Sequence, residues 1–511
     1  MRGLPVALSI ALTVTGCIHH FSSLDVRDIE AAPEPTLVST PVRAHLVDGS
    51  TVVYRTGVSV ATDTLRGDGM WYGPMIADSQ PVMRIAMDSV VGLEAITVDP
   101  HVATTTLVST VATLGAIGVV MVGTVAISCI WDPKCFGSCP TVYTMGADGE
   151  VLEAELFSYS VAPLLEARDV DRIGTHAGAD GFVQVEIRDE ALETHRINYL
   201  GVLAVTHEAD ELIVPDARGE PLALGGLTAA ARASDATGRD VRPLIAARDS
   251  AFYTSAPALL AAASVDQLED HIDLTLPAVT GADSIAVVLR LRNSLLNTVL
   301  FYDLMLASAG AQALDWMGAE LQRIGPAIEL GQWYTERMGM QVHVHDGSAF
   351  QHVARIPDAG PIAWKDVAVA VPVLTNGDSI RIRLSFVVDE WRIDRIRIAT
   401  AVRRPEVREI AVTEVIGPDG RSADALRSSM SAPDEAYAET LPGQRFTARF
   451  DVGHATSART FMIAAQGYYT EWIRPDWIRT AQEPRLFVPG DEALVEALVR
   501  WRAAKADFER S

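Results

Sequence analysis

Lysine is almost missing from this chain. Only Lys134, Lys365 and Lys505 occur in 511 residues, so nearly all of the 42 basic residues are arginine. Against them stand 66 acidic residues, for a net charge of −24. Such a balance repels phosphate backbones and anionic headgroups, which argues against nucleic acid as a partner and against charge-driven adhesion to membranes. Cysteine is scarce as well, and no histidine lies near Cys129, Cys135 and Cys139 in sequence to complete a zinc set. The chain has no G-x-S-x-G, no H-E-x-x-H, no G-x-x-x-x-G-K-[ST] and no G-x-G-x-x-G. Nucleophile elbows, zincin helices and phosphate-cradling loops are therefore not signposted. Tandem repeats and low-complexity tracts are absent too. What is present is 49% apolar and 21% charged residues, the composition of packed globular protein, over a length that implies several domains.

The N-terminus carries an address. Met1 and Arg2 form a short positive region, Leu4 to Val14 an apolar one, and Val14-Thr15-Gly16-Cys17 follows. This resembles the lipobox of bacterial lipoproteins, in which small residues precede a cysteine. The resemblance implies a signal peptide over 1–16, a diacylglycerol on Cys17 and stable anchoring by two or three acyl chains. Ile18, where an acidic residue would favour inner-membrane retention, leans the expectation toward the outer membrane.

A second membrane signal is Thr104 to Ile130, uncharged over a bilayer-spanning length, with Gly115, Gly118 and Gly123 on a smooth face. It reads either as a membrane-embedded helix or as a segment buried in the fold. Cys129, Cys135 and Cys139 follow it, and export favours a disulfide there, with Cys135 to Cys139 as the loop closure.

The rest of the chain alternates in the manner of strands. Asp48-Gly49 and Asp68-Gly69 punctuate residues 41–98 as hairpin turns do. That stretch resembles a small SH3-like or Sm-like barrel. Alternation continues through Val183, Val185 and Ile187, through Met340 to Val344, and through Ile380 to Phe386. Short motifs such as Cys139-Pro140-Thr141 and Val214-Pro215-Asp216 resemble an uncharacterised β-rich region of large bacterial extracytoplasmic proteins, over about residues 136–400. The resemblance implies shared architecture and no activity. At the C-terminus Leu494, Leu498, Trp501 and Phe508 recur on one helical face.

The expected fold is therefore mainly β and multidomain. A signal peptide over 1–16 and a tether over 17–40 lead to a small barrel over 41–98 and an apolar helix within 99–131. A β-rich domain over 132–275, a β-sandwich over 276–400 and a β domain with a terminal helix over 401–511 follow.

Chemistry is thinly signalled. His343 and His345 would share one strand face, with Asp346 close behind, as half a metal site. Glu193 with His195, and His207 with Glu208 and Asp210, are incomplete in the same way, and no catalytic set, metal site or cofactor is inferred. Tyr468, Tyr469, Trp472, Arg474 and Trp477 form an aromatic cluster that reads either as core or as an interface. The expected role is binding, structure or assembly at the cell envelope, with an envelope protein as a candidate partner. The alternatives are an envelope hydrolase with a site assembled from dispersed residues, or an accessory subunit of a membrane complex.

Overall fold

The computed structural model describes residues 20–23, 35–38, 42–98, 139–161, 165–309, 324–471 and 487–508, apart from short stretches at 47, 49, 55, 73–78, 147–148, 192, 280, 375–377, 435 and 442. The chain is mainly β, built from several antiparallel sheets. Residues 20–98 form one sheet of eight strands. Its core is made by alternate residues such as Val42, Ala44, Val52, Tyr54 and Leu65. The opposite side chains Val53 and Tyr72 pack on Ala191 and Leu441 of the next sheets. Arg43 is carried into that junction, where its Nη2 lies 2.5 Å from Thr194 Oγ1.

The remaining five sheets are stacked, and period-two alternation is what stacks them. The first contains Gly149–Glu155, Thr141–Gly146, Phe182–Arg188, Arg445–Asp451 and Glu414–Ile416. The second contains Ala167–Ile173, Ala458–Glu471, Glu193–His207 and Glu406–Ala411, with Ala438–Thr440 at its side. Ile197, Leu200, Val202 and Ala204 of the strand Glu193–His207 face the first sheet. Tyr199, Leu203 and Val205 of the same strand face the third, where they meet Ile213 and Ala223. That third sheet is small: Leu212–Pro215, Pro221–Gly225 and Ala401–Arg403. Its other residues, Val214, Leu222 and Leu224, meet Ala286, Val288 and Ala399 of the fourth. The fourth sheet, Lys365–Pro372, Ser284–Asn293 and Trp391–Ala399, turns Ile285, Val287, Leu289 and Leu291 onto the fifth. The fifth is Arg232–Asp235, Glu269–Pro277, Ser379–Val387, Met340–His345 and Phe350–Ile356. Strands buried on both faces read as continuous apolar runs, so simple alternation is weak in the middle of the stack and clear in its outermost sheet.

The sheets do not divide at 275/276 and 400/401, as the linear reading expected. Ala458–Glu471 lies beside Glu193–His207 from Ala458 opposite His207 to Glu471 opposite Glu193. Residues on both sides of 275 share the fifth sheet, and residues 401–403 complete the third. Pairing at such sequence separation depends on tertiary closure and leaves no local signal.

A helical layer closes one end. It comprises α1 (Pro257–Ala262), a run from Leu296–Thr298 into the π-helical Val299–Leu306, α2 (Ile324–Arg337) and α3 (Asp491–Phe508). In α3, Leu494, Leu498 and Trp501 are buried against Leu300, Leu304 and the other side chains of this layer, as their spacing predicts. Among the described residues no helix is long and apolar enough to cross a membrane. Thr104–Ile130, the expected long apolar helix, lies outside the described residues.

Candidate functional site

A cavity of about 370 Å³ lies where the first two sheets of the stack meet the helical layer. Leu300, Phe301 and Met305 of the π-helical run, Leu330 of α2 and Tyr469 of the second sheet give it apolar walls. Its polar groups include Glu155, Ser158 and Tyr159 from the end of one strand, Asn293 and Asn297 before the π-helical run, Tyr334 and Thr335 of α2, and Arg355 and Asp358 from Phe350–Ile356 and the loop after it. Apolar walls with a few convergent polar groups are the usual form of a small-molecule site.

Glu155 is the central polar side chain. Its Oε2 accepts hydrogen bonds of 2.7 Å from the amides of Ile362 and Ala363, while Oε1 is buried with no protein partner. Burial dominates over those amides and over the positive charge of Arg292, and pushes the carboxyl up to about 7. The loop that supplies the amides is fixed by Asn293. Its Oδ1 accepts from Ala359 N at 2.7 Å and Gly360 N at 3.1 Å, and its Nδ2 donates to Asp358 Oδ1 at 2.9 Å. Gly360 has φ +83, and a Cβ there would stand 2.7 Å from Glu155 Oε2, so glycine is required both by conformation and by space. Burial, then the nearby Asp358 carboxylate, raise the Tyr334 phenol.

Beneath Glu155 runs a buried ion cluster. Lys365 Nζ lies 2.6 Å from Asp169 Oδ1 and 3.0 Å from Asp171 Oδ1, joining the fourth sheet to the second. The two carboxylates outweigh burial and hold the ammonium above its ordinary range. Asp169 also accepts from Phe157 N at 3.1 Å, steadying a turn in which Phe157 has φ 42.

Cys139 lines the same cavity and is buried. Burial, then the carboxylates of Glu155 and Glu193, raise its thiol, the opposite of what a nucleophilic cysteine needs. Cys135, its expected disulfide partner, lies outside the described residues, as does Cys17. Tyr468 and Tyr469, expected as one cluster, point to opposite faces of their strand, and both are buried. Tyr469 donates to Ser158 O at 3.1 Å on the cavity side. Tyr468 meets the ring of Tyr437 edge-on at 5.5 Å on the other. Adjacent strand residues cannot share a face. Trp472, Arg474 and Trp477 lie outside the described residues.

The histidines are placed as follows. His343 and His345 do lie on one half-buried strand face, but His343 Nδ1 sits 3.2 Å from Ser385 Oγ and His345 Nδ1 accepts from Gly347 N at 3.0 Å. Asp346 is engaged in its own turn, accepting from Ser348 N at 2.8 Å and Ala349 N at 2.9 Å. His207 ends its strand against Glu208 O at 2.7 Å and Thr460 Oγ1 at 3.0 Å. Glu193 and His195, read as a strand-end pair, are instead wholly buried, 2.9 Å apart, with Asp189 3.6 Å from the other ring nitrogen. Among the described residues no group of three or more histidine, cysteine or acidic side chains is arranged to hold a metal ion. The cavity itself was not legible in sequence. Glu155 sits in an ordinary strand end, and the signal closest to it, Pro357-Asp358-Ala359-Gly360-Pro361, reads as a loop.

No family model matches the chain, and no curated protein does. Among solved structures it is similar to the C-terminal CBM6 of LamC, a marine laminarinase from Zobellia galactanivorans, at 10% identity over 39% of this chain and 98% of that one, with a TM-score of 0.14. The GH31 α-xylosidase of Xanthomonas citri aligns at 9% identity over 86% of this chain and 38% of that one, with a TM-score of 0.15. A structure of infectious bursal disease virus aligns at 11% identity over 73% and 83%, with a TM-score of 0.15. At these TM-scores the likenesses constrain neither fold nor activity.

Proposed function

We propose that this protein is a lipid-anchored ligand-binding protein of the bacterial cell envelope, outer membrane favoured, whose site is the cavity at Glu155. The anchor is Cys17, and the N-terminal sheet, read as an SH3- or Sm-like barrel, is the module nearest the lipid. The observation that carries the binding role is a buried carboxyl with one unpartnered oxygen at the wall of a mainly apolar cavity. A group of that kind costs on the order of 1–3 kcal/mol when left unmatched, a cost that a ligand donor would offset.

Two measurements test the reading. Nile red should bind the full-length mature protein with about one-to-one stoichiometry, and Gly331→Phe should abolish it. Gly331 lines the cavity and nothing lies within 4 Å of where its Cβ would stand, so the backbone there accepts a bulky side chain beside the cavity. Undiminished binding by a folded Gly331→Phe variant would remove the cavity from consideration. Membrane fractionation of Cys17→Ala should move the protein to the soluble fraction, and retention on the membrane would place the anchor elsewhere.

A hydrolytic role has one observation in its favour: a carboxyl raised to about 7 suits a general acid. Product release from soluble glycoside or ester substrates, lost in Glu155→Gln, would establish it.

A further inference from the structure

We infer that the cavity takes an apolar-bodied amine, with its cationic end at Glu155 and its hydrocarbon against Leu300 and Met305. This rests on the ligand-binding reading above and adds the charge and polarity of the ligand.

The polar lining is unbalanced in a specific way. Its unmatched capacity is of the accepting kind: Glu155 Oε1 and Asn297 Oδ1 are buried without a protein partner. Several donors of the lining are committed elsewhere. Arg355 gives its Nε and Nη2 to Met338 O at 3.0 and 2.8 Å, behind the end of α2. Asn293 Nδ2 is given to Asp358. Tyr469 donates to Ser158 O, and the Tyr302 hydroxyl to Glu471. A ligand that brings a negative charge, such as a carboxylate or a phosphate, would meet the carboxyls of Glu155 and Asp358. One that brings an ammonium supplies several N–H donors and a compensating charge at once. The apolar walls then require the rest of the ligand to be hydrocarbon or aromatic, since a polyamine would leave its other charges unmatched.

The test uses the full-length mature protein carrying bound Nile red, with octylamine, octanol and octanoate as displacing probes. These share one hydrocarbon and differ only in the head. A charge-assisted hydrogen bond should make octylamine displace the dye at a concentration about tenfold lower than octanol, with octanoate the weakest of the three. In Glu155→Gln the amine should lose its advantage over octanol. Equal displacement by octylamine and octanol in the unmodified protein would overturn the inference and leave the cavity reading standing. So would a folded Glu155→Gln variant that keeps the amine preference. Dye binding that ignores Gly331→Phe would instead overturn the cavity reading, and this inference with it. Should Glu155→Gln not fold, the three-probe comparison in the unmodified protein decides by itself.

Discussion

Lys365 Nζ stands 2.6 Å from Asp169 Oδ1, and through that contact one of only three lysines in the chain ties the fourth sheet of the stack to the second. Asp171, at 3.0 Å, is the third member. Removing one side of a buried charge cluster leaves the other uncompensated, at a cost of about 3–5 kcal/mol. Lys365→Met should lose stability of that order in chemical denaturation. The triple variant with Asp169→Asn and Asp171→Asn should recover much of it. A loss below about 1 kcal/mol in Lys365→Met would mean that the cluster is solvated like a surface pair.

A Cβ at Gly360 would stand 2.7 Å from Glu155 Oε2, so the carboxyl or the loop would have to shift to admit one. Gly360→Ala should destabilise by about 1–3 kcal/mol, through a strained φ and a contact with the Glu155 carboxyl. Combining it with Glu155→Ala should relieve the contact but not the φ, so the two changes should be less than additive. Strict additivity in a double-mutant cycle would show that the two residues do not touch.

The titration of Glu155 makes stability fall with rising pH. Its folded value of about 7 lies above the ordinary 4.5, so between those values the folded chain holds a proton that the unfolded chain has lost. The slope of stability against pH is then negative over that window, amounting to up to about 3 kcal/mol by linkage. Glu155→Gln should make the slope shallower without abolishing it, since Asp171 is raised to about 7 as well, which denaturation at pH 5, 6, 7 and 8 would reveal (values chosen to span the window, about one unit apart). An unchanged slope would assign the titration to another group.

Asp389 secures the C-terminal helix. Its Oδ2 accepts from Trp501 Nε1 and from Lys505 Nζ, both at 2.7 Å, and its Oδ1 lies 3.1 Å from Arg392 Nη1. It does so from φ 63, a conformation that aspartate tolerates better than most residues. Asp389→Ala should raise amide exchange across α3 by an order of magnitude or more, since the loss of a buried charged acceptor is worth about 3 kcal/mol. Exchange in the N-terminal sheet should not change. Protection of α3 that survives the substitution would show that Leu494, Leu498 and Trp501 hold the helix by packing alone.

Gly331 offers a gain in stability. It lies within α2 with nothing near its missing side chain. Gly331→Ala should therefore stabilise by up to about 1 kcal/mol, the difference in helix propensity. A measurable loss in thermal denaturation would mean that the space beside it is needed.

The individual strands were legible because alternation is local. Met340 to Val344 and Ile380 to Phe386 show their period directly, and both fall in the outermost sheet, where one face is wet. The terminal helix was legible for the same reason, from Leu494, Leu498 and Trp501. The connection of the sheets was not. Nothing within Ala458–Glu471 names Glu193–His207 as its neighbour, because a ladder is specified by backbone groups that every residue carries. The aromatic pair shows the same limit: sequence puts Tyr468 beside Tyr469, and the pleat sends them into different cores.

Sequence alone therefore determined many of the strands, the terminal helix, the acidic charge balance and the expectation of a lipid on Cys17, each a matter of neighbouring residues or of totals. The helices Val299–Leu306 and Ile324–Arg337 fall inside a stretch that read as a β-sandwich. Tertiary structure decided the site. Glu155, Asn297, Gly360 and Tyr469 come from four distant parts of the chain. They meet because a nested set of sheets closes over them, and the unmatched oxygen of Glu155 exists only once that closure has removed it from water.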